Sequence, residues 1–203
     1  MFHHRKSINL RKAFLMITFG ILLPVDALVQ DPNSLKLLEN DVKKALNCSF
    51  ITTDGVPDNE AYQVLDFILR DSRTFTFNLP YLRKIVIANT LKGSYTENLG
   101  CFTGITLPNT RDEQFLDYSL RHEIGHVIDH EQNARESKEW NAARKHVETK
   151  SVSTYAGTND RELFAEMVAY RTAREYGKSL TPFPDDIEKM IDGFLHNPSP
   201  SRR

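Results

Sequence analysis

Residues 121–130, Arg-His-Glu-Ile-Gly-His-Val-Ile-Asp-His, constrain the chain more than any other stretch. His122 and His126 stand four apart, and on a helix such a pair lies on one face with about 5–6 Å between Cβ atoms. Two imidazoles at that spacing can reach one metal ion, and Glu123 then projects beside it. The chemistry works only if the segment is helical. Leu120, Ile124, Val127 and Ile128 supply an apolar stripe that buries such a helix, and Gly125 leaves room for a neighbour to approach closely.

A metal that must also bind water keeps an open position beside three protein ligands. The third candidates are His130, His146, Asp160, Glu162 and Glu166. His130 is eight residues beyond His122, about 12 Å along a continuous helix, whereas two ligands of one ion stand only about 4 Å apart. His146 sits in a solvated Arg144-Lys145-His146 run. The metzincin pattern fails, because Asp129 and Gln132 occupy the places of its glycine and third histidine. Glu162 and Glu166 remain, four apart in the otherwise apolar Leu163-Phe164-Ala165-Met167-Val168 stretch. Like charges at that spacing repel, and a buried carboxylate needs a cation. Glu162 is therefore expected as the ligand, with Glu166 accepting the other N–H of a ligating histidine.

The rest of the chain surrounds this group with ordinary globular material. Of 203 residues 40% are hydrophobic and 26% charged, and a net charge of −1 leaves no basic footprint for nucleic acid or for an anionic membrane. Residues 1–27 read as a secretory signal peptide: a basic start, an apolar run Ala13 to Leu23 too short to span a bilayer, then Val25-Asp26-Ala27. Export and one domain over residues 28–203 are expected. Cys48 and Cys101 either form a disulfide or are two separate buried side chains.

Periodicity predicts helices over Ser34–Leu46, Asn59–Arg70, Asp112–Glu131, Arg135–Glu148, Asn159–Tyr176 and Pro184–Leu195. Strands are expected at Thr74–Phe77, Lys84–Ala88 and Cys101–Leu107, with a polar loop at Gly93–Asn98. A small sheet followed by helices is an α+β arrangement.

From Leu120 to Tyr170 the chain resembles the catalytic domain of anthrax lethal factor and the small secreted Pro-Pro endopeptidases that share its fold. The register Tyr155, Asn159 and Glu162-Leu163-Phe164-Ala165-Glu166 follows His122-Glu123-Ile124-Gly125-His126 at the family's spacing. The resemblance implies a small mixed sheet with an edge strand over a zincin-type helix, and one zinc ion on His122, His126 and Glu162. Glu123 would be the general base, Tyr155 the donor to the oxyanion, and Asn159 and Glu166 supporting groups. It further implies action on an extended polypeptide near proline, paired along the strand from Cys101 to Leu107; a monomer is expected. Tyr95, Phe102, Thr103 and Gly104 would then touch substrate. The family's tryptophan is absent from the matching Gly93-Ser94-Tyr95-Thr96-Glu97. Two rivals belong to other classes: a structural zinc site closed by Cys48, Cys101 and the two histidines, and a non-catalytic, toxin-like binding module.

Overall fold

In the computed structural model the described residues are 32–53, 55–72, 79, 82–89, 95–98, 103–173 and 183–196. The expected signal peptide, the Thr74–Phe77 strand, Cys101 and Phe102 lie outside them. The chain begins with two amphipathic helices, α1 (Pro32–Leu46) and α2 (Asp58–Ser72), separated by a short strand β1 (Phe50–Thr52). Strands β2 (Leu82–Ala88), β3 (Tyr95–Asn98) and β4 (Thr103–Pro108) follow, then helices α3 (Glu113–Gln132), α4 (Lys138–Ala143), α5 (Thr149–Val152), α6 (Asp160–Thr172) and α7 (Asp185–His196). Helix outweighs strand in an α+β arrangement.

The sheet has the order β1-β2-β4-β3. β1, β2 and β4 run parallel, and β3 pairs antiparallel with β4, Thr96 opposite Ile105. This corrects two expectations. The strand expected from Cys101 to Leu107 is not at the edge: β4 lies between β2 and β3, and all six of its residues are buried. Among the described residues the edge is β3, inside the segment expected to be a polar loop. Its Tyr-Thr-Glu-Asn sequence has no apolar alternation, but an edge strand needs only backbone hydrogen bonds and tolerates polar side chains. β1, at the opposite edge, is three residues long and too short to leave a periodic signal.

The helix expected over Arg135–Glu148 is also broken. Ser137 adopts an extended conformation and its side chain accepts from Trp140 N, capping α4, so a 3-10 turn at Ala134–Glu136 precedes it and another at Arg144–His146 follows. A serine that offers its oxygen to the backbone competes with the helix it interrupts. The expected helix over Asn159–Tyr176 gives way to extended backbone at Ala173.

One core runs through these elements: Leu65 and Ile68 of α2, Ile85 and Ile87 of β2, and Ile105 and Leu107 of β4 pack with Leu120, Ile124 and Val127 of α3. On its other side α3 meets α6 through Leu163, Phe164 and Val168, and Trp140 stacks edge-on against Phe164 at 5.5 Å. A buried ion pair, Arg121 Nη2 to Asp71 Oδ1 at 2.5 Å, ties the end of α2 to α3 one residue before His122. Among the described residues no helix is long and apolar enough to cross a membrane.

Candidate metal centre

Helix α3 starts with Asp112, whose carboxylate accepts from Gln114 N and Phe115 N, and stops at Asn133 in the left-handed conformation. The continuous helix between these caps places His122 and His126 on one face, their rings 4.7 Å apart and edge-on. α6 starts with Asn159, whose side chain accepts from Glu162 N at 3.0 Å. That cap fixes the turn carrying Glu162.

The two helices can meet because Gly125 has no side chain. A Cβ there would stand 2.7 Å from Ala165 Cα and 3.1 Å from Ala165 O. The approach carries Glu162 Oε2 to 3.2 Å from His122 Nε2 and 3.1 Å from His126 Nε2. An ion with ligand bonds of about 2.0–2.1 Å holds tetrahedral neighbours roughly 3.3 Å apart, so these separations suit a common ion. Two imidazole nitrogens and a carboxylate oxygen, all within 4.8 Å of one another, form a group that could hold a metal ion.

Electrostatics without an ion point the same way. Burial pushes the His122 imidazole down, but Glu162 and Glu166 outweigh it and raise it to about 9. Burial pushes Glu162 up, yet hydrogen bonds with His122 and His126 hold its carboxyl well below the usual range. The carboxylates around these rings therefore call for positive charge, which a proton supplies here and a metal cation can supply equally.

Glu166, completely buried, stands behind the group with Oε1 2.9 Å from His122 Nδ1. Tyr118 OH donates to the same oxygen, and Ser153 Oγ donates to Oε2 at 2.6 Å. Ser153 Oγ also accepts from Ala156 N at 2.8 Å, shaping the turn that carries Tyr155. The half-exposed Tyr155 ring lies 5.6 Å from that of His122. Burial raises the Tyr155 phenol above its ordinary pKa, and the negative charge of Glu162 adds to the effect. Glu123 is buried, and its Oε2 accepts from Thr96 Oγ1 of β3, which also lies 3.2 Å from the Glu123 carbonyl oxygen.

Five residues singled out from the sequence thus converge: His122, Glu123, His126, Glu162 and Glu166, with Tyr155 alongside. Asn159 supports the group through a helix cap on the Glu162 backbone rather than through a side chain at the rings. Tyr95 begins β3, in register with Thr106. Gly104 and Thr103 belong to the interior strand, so the expectation that they offer an edge to substrate is corrected; Thr103 Oγ1 is instead 3.3 Å from Glu131 Oε1. His130 is exposed in the last turn of α3, and His146 is exposed beside Asp186, neither in the group. Cys48 is buried in the core and is likewise no part of it. Sequence reasoning missed Tyr118, Ser153 and the Thr96 contact. Tyr118 was legible, being four residues before His122 on the same helix face; Ser153 and Thr96 reach the site through tertiary contacts. Comparison with protein-family models, with curated proteins and with solved structures gives no match.

Proposed function

We propose that the chain is an exported zinc-dependent endopeptidase, similar in its catalytic group to the lethal factor and Pro-Pro endopeptidase family, that cleaves extended polypeptides outside the cell. The observation that carries this proposal is the convergence of Glu162 Oε2 on both Nε2 atoms while the Glu123 carboxylate stands one residue away on the same helix. Two imidazoles and one carboxylate are a donor set that zinc accepts, with a position left for water or substrate. When bound, the ion supplies a Lewis acid for the scissile carbonyl and lowers the pKa of water.

The chain's own residues supply the remainder. Thr96 occupies Glu123 Oε2, which leaves Oε1 to take a proton from the attacking water and deliver it to the leaving amine. Tyr155, kept protonated by its raised pKa, donates its phenolic hydrogen to the oxyanion of the tetrahedral intermediate. Glu166 fixes the His122 ring from behind. The edge strand for a pairing substrate is β3 rather than β4, and backbone hydrogen bonds would hold an extended peptide there.

Digestion of a peptide library with and without added zinc tests the proposal. Cleavage should require the metal, and Glu123→Gln should keep stoichiometric zinc while losing at least about a hundredfold in kcat. A Glu123→Gln chain that cleaves at full rate, or a wild-type chain that binds zinc and cleaves nothing, would leave the non-catalytic binding module as the better description.

A further inference from the structure

A cavity of about 340 Å³ opens beside the metal group, with His126 in its wall. Its volume falls within the roughly 300–1,000 Å³ of small-ligand sites. Thr96 of β3, Arg161 of α6, and residues from the end of α3 and the following 3-10 turn line it. Apart from the imidazoles of His126 and His130, no aromatic and no aliphatic side chain lines it among the described residues.

The charges in the wall differ in availability. Asp129 and Arg135 neutralise each other, Arg135 Nε donating to Asp129 Oδ2 at 2.7 Å and Arg135 N to Oδ1 at 3.1 Å. Arg161 and Glu136 are exposed, come from different elements, and form no ion pair with one another or hydrogen bond among the described residues. Among the described residues the cavity therefore offers one free cationic donor, Arg161, and one free anionic acceptor, Glu136.

We propose that this cavity is a substrate subsite for a carboxamide side chain, asparagine or glutamine, on a residue flanking the scissile bond. A carboxamide has both an acceptor oxygen for Arg161 and N–H donors for Glu136. A carboxylate satisfies Arg161 but is repelled by Glu136, an ammonium does the reverse, and proline or leucine leaves both groups desolvated without a partner. Specificity arises because the penalty falls on polar groups that the bound side chain covers and leaves unpaired. The inference rests on the peptidase proposal for its position next to the bond, and departs from the proline preference implied by the resemblance.

The test uses synthetic peptides varied one position at a time, cleaved by the zinc-loaded wild-type chain and bound, without cleavage, by zinc-loaded Glu123→Gln. At one flanking position asparagine or glutamine should exceed proline, leucine, glutamate and lysine by about tenfold or more in kcat/KM and in affinity. Glu136→Gln should move the preference toward glutamate, and Arg161→Gln toward lysine. Cleavage with proline or an aliphatic residue preferred at every flanking position, or variants that change all peptides by one common factor, would overturn the subsite and leave the peptidase proposal standing. Carboxamide-selective binding without cleavage by the wild-type chain would support the subsite and remove the peptidase. Neither cleavage nor selective binding would overturn both.

Discussion

Gly125 of α3 lies against Ala165 of α6 so closely that a Cβ on the glycine would stand 2.7 Å from the alanine's Cα. The neighbour is backbone, which cannot swing aside as a flexible side chain could. This contact sets the distance between the helix that carries both histidines and the helix that carries Glu162. Gly125→Ala gains about 1 kcal/mol in helix propensity, but overpacking costs about 1–3 kcal/mol and more against an unyielding backbone. The variant should melt at a lower temperature and bind zinc at least tenfold more weakly, as read by thermal unfolding and by competition with a chromophoric chelator. Unchanged metal affinity would detach the helix contact from the metal group.

The pH dependence of the metal-free chain follows from the same cluster. The His122 pKa is raised from 6.5 to about 9, so its contribution to stability is complete below about pH 6.5 and is lost as pH rises through 9. The Glu162 carboxyl is shifted the other way from 4.5, so its contribution is present above pH 4.5 and is lost as acid protonates it. Unfolding free energy of the apo chain should therefore fall between pH 6.5 and 9. Metal must displace the His122 proton, so zinc affinity should keep rising to about pH 9 rather than levelling near 7. Titration at fixed ionic strength checks both trends, which have opposite signs.

Ser153 joins two parts of the site, one hydrogen bond reaching Glu166 behind His122 and another closing the turn that holds Tyr155. Ser153→Ala should weaken zinc binding by about tenfold, the lower end of what losing an outer support costs, and should lower kcat further by loosening Tyr155. Ser153→Thr, which keeps the hydroxyl, should recover most of both. Combined with Glu166→Gln, the serine change should add less than it does alone, since the two share one interaction.

Burial pushes the Cys48 thiol up to about 11, with the nearby Lys43 and Arg83 only partly opposing it. At neutral pH the folded chain should therefore alkylate slowly at Cys48, as thiolate is the reactive form. Bound zinc should survive complete modification of the thiols. Release of the metal on alkylation would instead favour a structural site in which cysteine closes the coordination sphere.

Much of the group was legible along the chain because helices have a fixed period. Four-residue spacing alone puts His122 with His126 and Glu162 with Glu166, and the N-cap signals at Asp112 and Asn159 locate the starts of both helices within one residue. Strands were less legible. β3 has a polar sequence whose strand state comes from pairing with β4, and Arg135–Glu148 carries helical periodicity that Ser137 interrupts with a cap.

The sequence by itself determined which helix faces carry side chains that could hold a metal ion, since that depends only on local geometry and on residue type. Tertiary structure alone decided that those faces meet at a distance suited to an ion, because it depends on the backbone contact at Gly125. It also decided that Thr96 and Ser153 reach Glu123 and Glu166 from elements 27 and 13 residues away in the chain. Hydroxyl contacts of that kind leave no periodic trace, because their geometry is set by packing between elements rather than by the pitch of any one of them.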